Sequence, residues 1–193
     1  MRGRVGRVLM VLGMVLVVAA LSLFLYNQWE ASQAGSAAEE SVAALESLAG
    51  DAQGAMPNAM TEVEIDGYYY IGYLTIPVLD LELPVMTDWS YEQLRISPCR
   101  YAGATFSRDF VIAAHNYSTH FGQIKTLLKG DDVYFTDMDG VVWHYQVALQ
   151  DVLEPTAIEE MTDAGYDLTL FTCTYGGQSR ITVRCTLIEE DEE

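Results

Sequence analysis

Cys173 ends an apolar, β-rich run, YDLTLFTC, and a Gly-Gly loop separates it from Arg180, which opens the next run, RITVRC. A strand end holds a thiol rigidly while the loop beside it leaves room for a substrate. The loop Thr174 to Ser179 is short enough to fold the second strand back on the first, so a cation returns next to the sulfur. A thiol has a reference pKa of about 8.5 and is mostly protonated at neutral pH, so attack on a carbonyl needs a neighbouring cation or base. His115 is the best base on offer. It closes the apolar strand FVIAAH and opens a polar loop, NYSTHFG, which places its ring at a rim where it can exchange protons. The chemistry this trio would do is nucleophilic acyl transfer. Each residue alone is weak evidence: a cysteine ending a β run is ordinarily a small core residue, and an arginine opening a strand is ordinarily solvated or paired with a carboxylate. Arg184 and His120 are the fallback cation and base, while His144 alternates within VVWHYQV as a sheet residue.

The elements that must hold these groups are short and β-rich. From Tyr68 onward, runs of Val, Ile, Thr, Tyr and Phe are punctuated by Pro, Gly and Asp, so the chain reads as mainly β. The expected strands are Tyr70–Ile76, Leu81–Met86, Asp109–His115, Asp131–Asp137, Val141–Pro155, Asp167–Cys173 and Arg180–Ile188, with short helical pieces at SYEQLR and GQIKTLL. Met138-Asp139-Gly140 marks a hairpin, because Asp and Gly tolerate the positive φ of a tight turn. Many short, evenly spaced strands point to a closed barrel in preference to a parallel α/β sheet.

Upstream, Val8 to Tyr26 carries no charge and is long enough to span a bilayer core. Arg2, Arg4 and Arg7 precede it and Glu30, Glu39 and Glu40 follow, so the positive-inside rule keeps residues 1–7 cytoplasmic and exports the rest. The run 8–26 is longer than the apolar part of a signal peptide, which favours a retained anchor over cleavage near Ala34-Gly35-Ser36-Ala37. Residues 27–60, rich in Ala, Ser, Glu and Gly with a weak apolar spacing at Val42, Leu45 and Leu48, form a stalk, partly helical by composition. Residues 61–193 form the folded domain. The formal charge of −18, from 10 basic and 28 acidic residues, repels phosphate backbones, so nucleic acid is excluded as a partner. Three cysteines cannot all pair within one chain and none lies in a CxxC pair, which leaves at least one free thiol. A Cys99–Cys185 disulfide stays open.

A histidine at a strand end, then Thr169-Leu170-Phe171-Thr172-Cys173, then an arginine opening the next strand resembles the sortase family, whose TLxTC signature is matched at every fixed position. Ile71, Gly72, Ile76 and Pro77 in YIGYLTIP look like that family's first strand, and the resemblance runs from Tyr70 to Ile188. It selects Arg180 over Arg184 and His115 over His120. One departure is Ala114, where the residue before the catalytic histidine is commonly glycine. The connection after Val152 is short and no second apolar span follows Ile188, which favours a class A-like or D-like member without deciding the class.

The resemblance implies an eight-stranded sortase-type β-barrel with short helices, and a membrane-anchored transpeptidase outside a Gram-positive-type cell. Cys173 would attack an LPxTG-like sorting signal of an exported protein and form a thioester. His115 would move protons, Arg180 would steady charge on the substrate oxygen, and Thr172 would line the substrate groove. The acceptor would be an amine of the cell wall, such as the peptidoglycan precursor lipid II. No cofactor is implied, and calcium modulation finds no support, since no acidic loop has EF-hand spacing. Two alternatives keep the same residues: a surface cysteine protease that delivers the acyl group to water, and a membrane-tethered barrel that binds peptides without catalysis.

Overall fold

In the computed structural model, residues 2–49 and 59–189 are described, and the chain divides into two compact units, Met1–Gln33 and Ala34–Glu193. Nine strands form in chain order: β1 (Val63–Ile65), β2 (Tyr68–Ile76), β3 (Leu81–Met86), β4 (Cys99–Ala102), β5 (Phe110–Ala113), β6 (Asp132–Asp137), β7 (Val142–Leu153), β8 (Leu168–Cys173) and β9 (Arg180–Leu187). Their lateral order is β1-β2-β3-β4-β5-β8-β9-β7-β6, and β6 pairs again with β2. That last pairing closes β2 to β9 into an eight-stranded barrel, as expected, with β1 as an added arm on β2. Closure removes the open edges that would otherwise pair with other chains.

All seven expected strands are present, with ends differing by a few residues at most. The two that sequence patterning missed are β1 and β4, of three and four residues, too short to show a period-2 signal. SYEQLR contains a 3-10 turn at Gln93–Arg95, and a second at Phe121–Thr126 overlaps GQIKTLL. The connection after Val152, read from the sequence as short, runs over 154–167 and contains the five-residue helix α2 (Ile158–Thr162). The hairpin forms between β6 and β7: Gly140 takes φ 81°, and the Asp137 carboxylate accepts the N–H groups of Asp139 and Val141 at 3.0 and 2.9 Å.

The barrel interior is filled from β2, β3, β5, β6, β7, β8 and β9, and Leu74, Leu83, Ile112, Phe135, Leu170 and Val183 are almost wholly excluded from water. Each such side chain contributes about 1.5–3 kcal/mol when fully buried. Phe110 and Phe135 meet edge to face at 5.0 Å across the centre. Strands β5 and β8 run parallel and are buried on both faces, which explains their nearly continuous apolar sequences FVIA and LTLF.

Gly72 makes the closing seam. The register of β2 slips between Tyr70 and Gly72, so Tyr70 turns to a satellite cluster with Leu45, Met86, Cys99 and Met138 while Ile71 enters the main core. Gly72 has φ 146°, and a Cβ there would lie 2.1 Å from the Thr136 carbonyl oxygen on β6. Gly72→Ala is therefore expected to destabilise the domain by about 3 kcal/mol, from backbone strain plus overlap at the seam. Denaturant unfolding checks this, and an unchanged midpoint would contradict it.

The N-terminal helix α1 runs from Arg2 to Leu48. Among the described residues it is the one helix long and apolar enough to cross a membrane. Within the second unit its face formed by Ala34, Ala38, Val42 and Leu45 is buried, at the spacing of one side of a helix. Ala38 belongs to the main core and Leu45 to the satellite cluster. The segment expected to be a stalk is thus helical as far as Leu48, and part of it packs on the barrel.

Candidate active site

Register alone brings the three chemical groups to one place. Strand β8 lies between β5 and β9. In the parallel pair, Ala113 sits opposite Phe171, and the ladder continues with the Ala114 N–H donating to the Phe171 carbonyl at 3.1 Å. His115, two residues beyond Ala113, therefore reaches the level of Cys173, two residues beyond Phe171. On the other side Cys173 pairs directly with Arg180 across the antiparallel β8–β9 ladder. Neighbouring strands are about 4.8 Å apart, so His115 and Arg180 stand at backbone positions on either side of Cys173.

His115, Cys173 and Arg180 line one groove of about 190 Å³. Its lining is largely apolar and includes Trp89, Tyr91 and Tyr101, Phe171, and Ile158 and Met161 of α2, together with Glu154. Tyr101 meets Phe171 edge to face at 5.1 Å, and Trp89 leans on Tyr101 at 5.3 Å, so the aromatic side is braced internally. A second depression of about 320 Å³ also touches Cys173, lined by Asn116, Lys125, Thr172, Thr174 and Tyr175 among others. The sulfur thus stands where two hollows meet.

The loop between β8 and β9 is rigidly tied. The Thr174 hydroxyl lies 3.0 Å from the Ser179 hydroxyl and accepts the Ser179 N–H at 3.1 Å, while the Thr174 N–H donates to the Ser179 carbonyl at 2.9 Å. Gly176 and Gly177 take φ 81° and 71°, conformations that a side chain would strain. Arg180 Nη1 donates to the carbonyls of Gly177 and Ser179 at 3.1 and 3.2 Å, which holds the guanidinium beside the loop.

Thr172 points away from the groove lined by Cys173 and Phe171, as alternation along β8 requires. It is buried, lines the second hollow, and its hydroxyl donates to the Ala114 carbonyl at 2.8 Å. That bond ties the strand bearing the thiol to the strand leading to His115. The fallback residues lie elsewhere. His120 is wholly buried, and burial, with the charge of His115 adding to it, lowers its pKa to about 4. Its ring sits 5.5 Å from that of Tyr117, which in turn is 4.9 Å from that of His115. His144 stays in the sheet, its Nε2 2.9 Å from an Asp132 carboxylate oxygen and its ring stacked on Tyr134. Arg184 is buried on the barrel side of α2 and does not line the groove.

All three cysteines are free thiols, so Cys99 and Cys185 are not joined. Burial pushes both of those thiols up to about 12, which keeps them protonated and unreactive, whereas Cys173 is part-exposed. Among the described residues no group of three or more His, Cys, Asp or Glu side chains is arranged to hold a metal ion.

The residues that sequence reasoning missed are the groove walls. Trp89, Tyr91 and Tyr101 come from the segment before β4 and from β4 itself, and Ile158 and Met161 from α2. A signal was present in the aromatic-rich stretch DWSYEQ, where a Trp and a Tyr stand exposed to water by 42% and 75%. Exposed aromatics next to a nucleophile are a mark of a binding surface.

Fold and site together define a closed β-barrel with a cysteine-lined groove, to which a histidine just beyond β5 and an arginine opening β9 also contribute. Comparison with known proteins gives this architecture a family. A sortase-domain profile matches residues 74–188, more than half of the chain, and the chain belongs to the sortase family. Sortase A of Bacillus anthracis is 30% identical over 128 residues, covering 59% of this chain and 57% of that protein. The solved structure of sortase C1 from Streptococcus agalactiae superposes with a TM-score of 0.57 at 26% identity, covering 66% of this chain and 72% of that one. Sortase A from Corynebacterium diphtheriae gives 0.56 at 23% identity, covering 65% and 64%. The chain thus spans somewhat under two thirds of the Bacillus anthracis and Corynebacterium diphtheriae proteins.

Proposed function

We propose that this protein is a membrane-anchored cysteine transpeptidase that cleaves an LPxTG-like sorting signal and joins the exported protein to an amine of the cell wall. The observation that carries this reading is the convergence of His115, Cys173 and Arg180 on one groove from three adjacent strands. The Cys173 sulfur attacks the Thr carbonyl carbon of the signal. As the peptide C–N bond breaks, His115 gives a proton to the departing amine and a thioester remains. An incoming amine then attacks the thioester carbonyl, loses a proton to His115 and releases the sulfur as the thiolate, the form in which it attacked, so both groups return to their starting protonation. One peptide bond replaces another, so no external energy source is needed.

Arg180 faces the oxygen on which negative charge grows in each tetrahedral state. A fixed guanidinium in a partly dry groove is most effective at that moment. The apolar groove between Trp89 and α2 suits an extended acyl donor, and the second hollow at Cys173 offers the acceptor a separate approach to the sulfur. Retention of α1 as an anchor, with Arg2, Arg4 and Arg7 on the cytoplasmic side, would hold the groove at the outer membrane face, where exported substrates and a lipid-linked acceptor such as lipid II meet.

Product analysis tests the reading. Incubated with a sorting-signal peptide and an added amine, such as an oligoglycine, the protein is expected to yield the amide-linked product, and its yield should rise with amine concentration. Hydrolysed acid alone with every amine tried would make it a cysteine protease. No reaction with any peptide, from folded protein, would leave a binding barrel.

A further inference from the structure

Helix α2 gives Ile158 and Met161 to the groove, yet it has five residues, and so short a helix does not stand by itself in water. What holds it is Arg184 on β9, which is only 1% exposed and heads the largest fully buried side chains of the described residues. Its Nη1 donates to the Met161 carbonyl at 3.1 Å and to the Thr169 hydroxyl at 3.0 Å, and its Nη2 donates to the Glu160 carbonyl at 2.6 Å. Carbonyls in the last turn of a helix have no partner within it, and a cation at that end is electrostatically favoured. Asp151 on β7 lies 3.6 Å from Nε, and the Tyr166 ring lies 5.9 Å from the guanidinium carbon. Sealing a charge this deeply is unfavourable unless its partners are fixed in number and direction. Here two of the three hydrogen-bond partners belong to α2 and the third to β8, the strand that ends in Cys173.

We propose that Arg184 is a positioning residue that sets the distance between the α2 wall and Cys173, and thereby the size of the apolar side chain that the groove accepts from the acyl donor. This rests on the acyl-transfer reading above for its effect on substrates, but the clamp itself does not. A planar guanidinium spans both carbonyls and the Thr169 hydroxyl at once, whereas the compact ammonium of lysine cannot. Met161 carries both roles in one residue: its carbonyl is held by Arg184 while the residue itself lines the groove.

The test uses the full chain in detergent and the variants Arg184→Lys and Arg184→Met. Three quantities are read: amide hydrogen exchange across Ile158–Thr162, kinetics on sorting-signal peptides bearing Leu, Val, Ala or Phe at the first motif position, and the rate of Cys173 alkylation by iodoacetamide. Exchange in α2 is expected to quicken about 10-fold or more while β8 and β9 stay protected. For the Leu peptide kcat/KM is expected to fall about 10- to 100-fold, chiefly through KM, and preference among the four peptides should flatten. Alkylation of Cys173 should be unchanged. Should Arg184→Met fail to fold, Thr169→Val, which removes one partner of the guanidinium, is expected to give the same pattern at smaller amplitude. Folded variants with wild-type KM and selectivity would overturn the proposal, as would an equal fall in alkylation and turnover, which would mark a general loss of structure. If wild-type protein turned over none of the peptides, the acyl-transfer reading would fall on its own; α2 exchange would still speed up if the clamp exists, and unchanged exchange would refute it.

Discussion

Replacing Cys173 by alanine is expected to abolish turnover of a sorting-signal peptide, with a fall of about 10⁴-fold or more, since loss of a covalent nucleophile removes the acyl-enzyme route altogether. The other two thiols offer no substitute. Cys99 and Cys185 are buried and protonated, on the far side of the core packing from solvent. In folded wild-type protein an alkylating reagent should therefore modify one cysteine, and in Cys173→Ala none, while both proteins should react fully once denatured. Mass spectrometry of the labelled chains reads this directly, and turnover by the alanine variant near the wild-type rate would remove Cys173 from the mechanism. Stability should barely change, because the side chain is part-exposed at a strand end and its replacement opens no cavity in the core.

The second large effect is expected at Arg180. Arg180→Ala should lower kcat by about 10² to 10³ with a smaller change in KM, the pattern of a donor that matters chiefly once negative charge has formed. Arg180→Lys is expected to recover little, because an ammonium cannot both bond the Gly177 and Ser179 carbonyls and face the substrate oxygen as a planar fork does. Single-turnover measurement of thioester formation separates this from an effect on acceptor binding. A kcat within about threefold of wild type in Arg180→Ala would show that charge on the oxygen is met by other groups, given the size usual for such donors. The contrast with Arg184 is physical: four residues along the same strand, one guanidinium opens onto the groove and the other is sealed beneath α2.

Much of this protein is legible along the chain, and the reason is local. The apolar, β-rich runs Tyr70–Ile76 and Leu81–Met86, the Asp-Gly turn after Met138 and the Gly-Gly loop after Cys173 each depend on a few neighbouring residues. The same holds for the uncharged run Val8 to Tyr26 and for the Thr-Leu-Phe-Thr-Cys segment, so the strands, the barrel class and the candidate trio could be read before any coordinates. The short pieces β1, β4 and α2 could not, because three to five residues carry too little periodicity, and their pairing partners or clamps supply what their own sequences lack.

Tertiary structure alone decided the rest. Side-chain alternation tells which face of a strand is buried but not which strand lies beside it. The parallel pairing of β5 with β8 puts His115 level with Cys173, though the Thr172–Ala114 bond that ties those strands spans 58 residues of chain. Likewise the apolar spacing at Val42 and Leu45 shows a helix face, and only packing shows that the barrel covers it. The clearest case is Arg184. By type and position it rivals Arg180, and what separates them is three hydrogen bonds to groups that a linear reading cannot bring together.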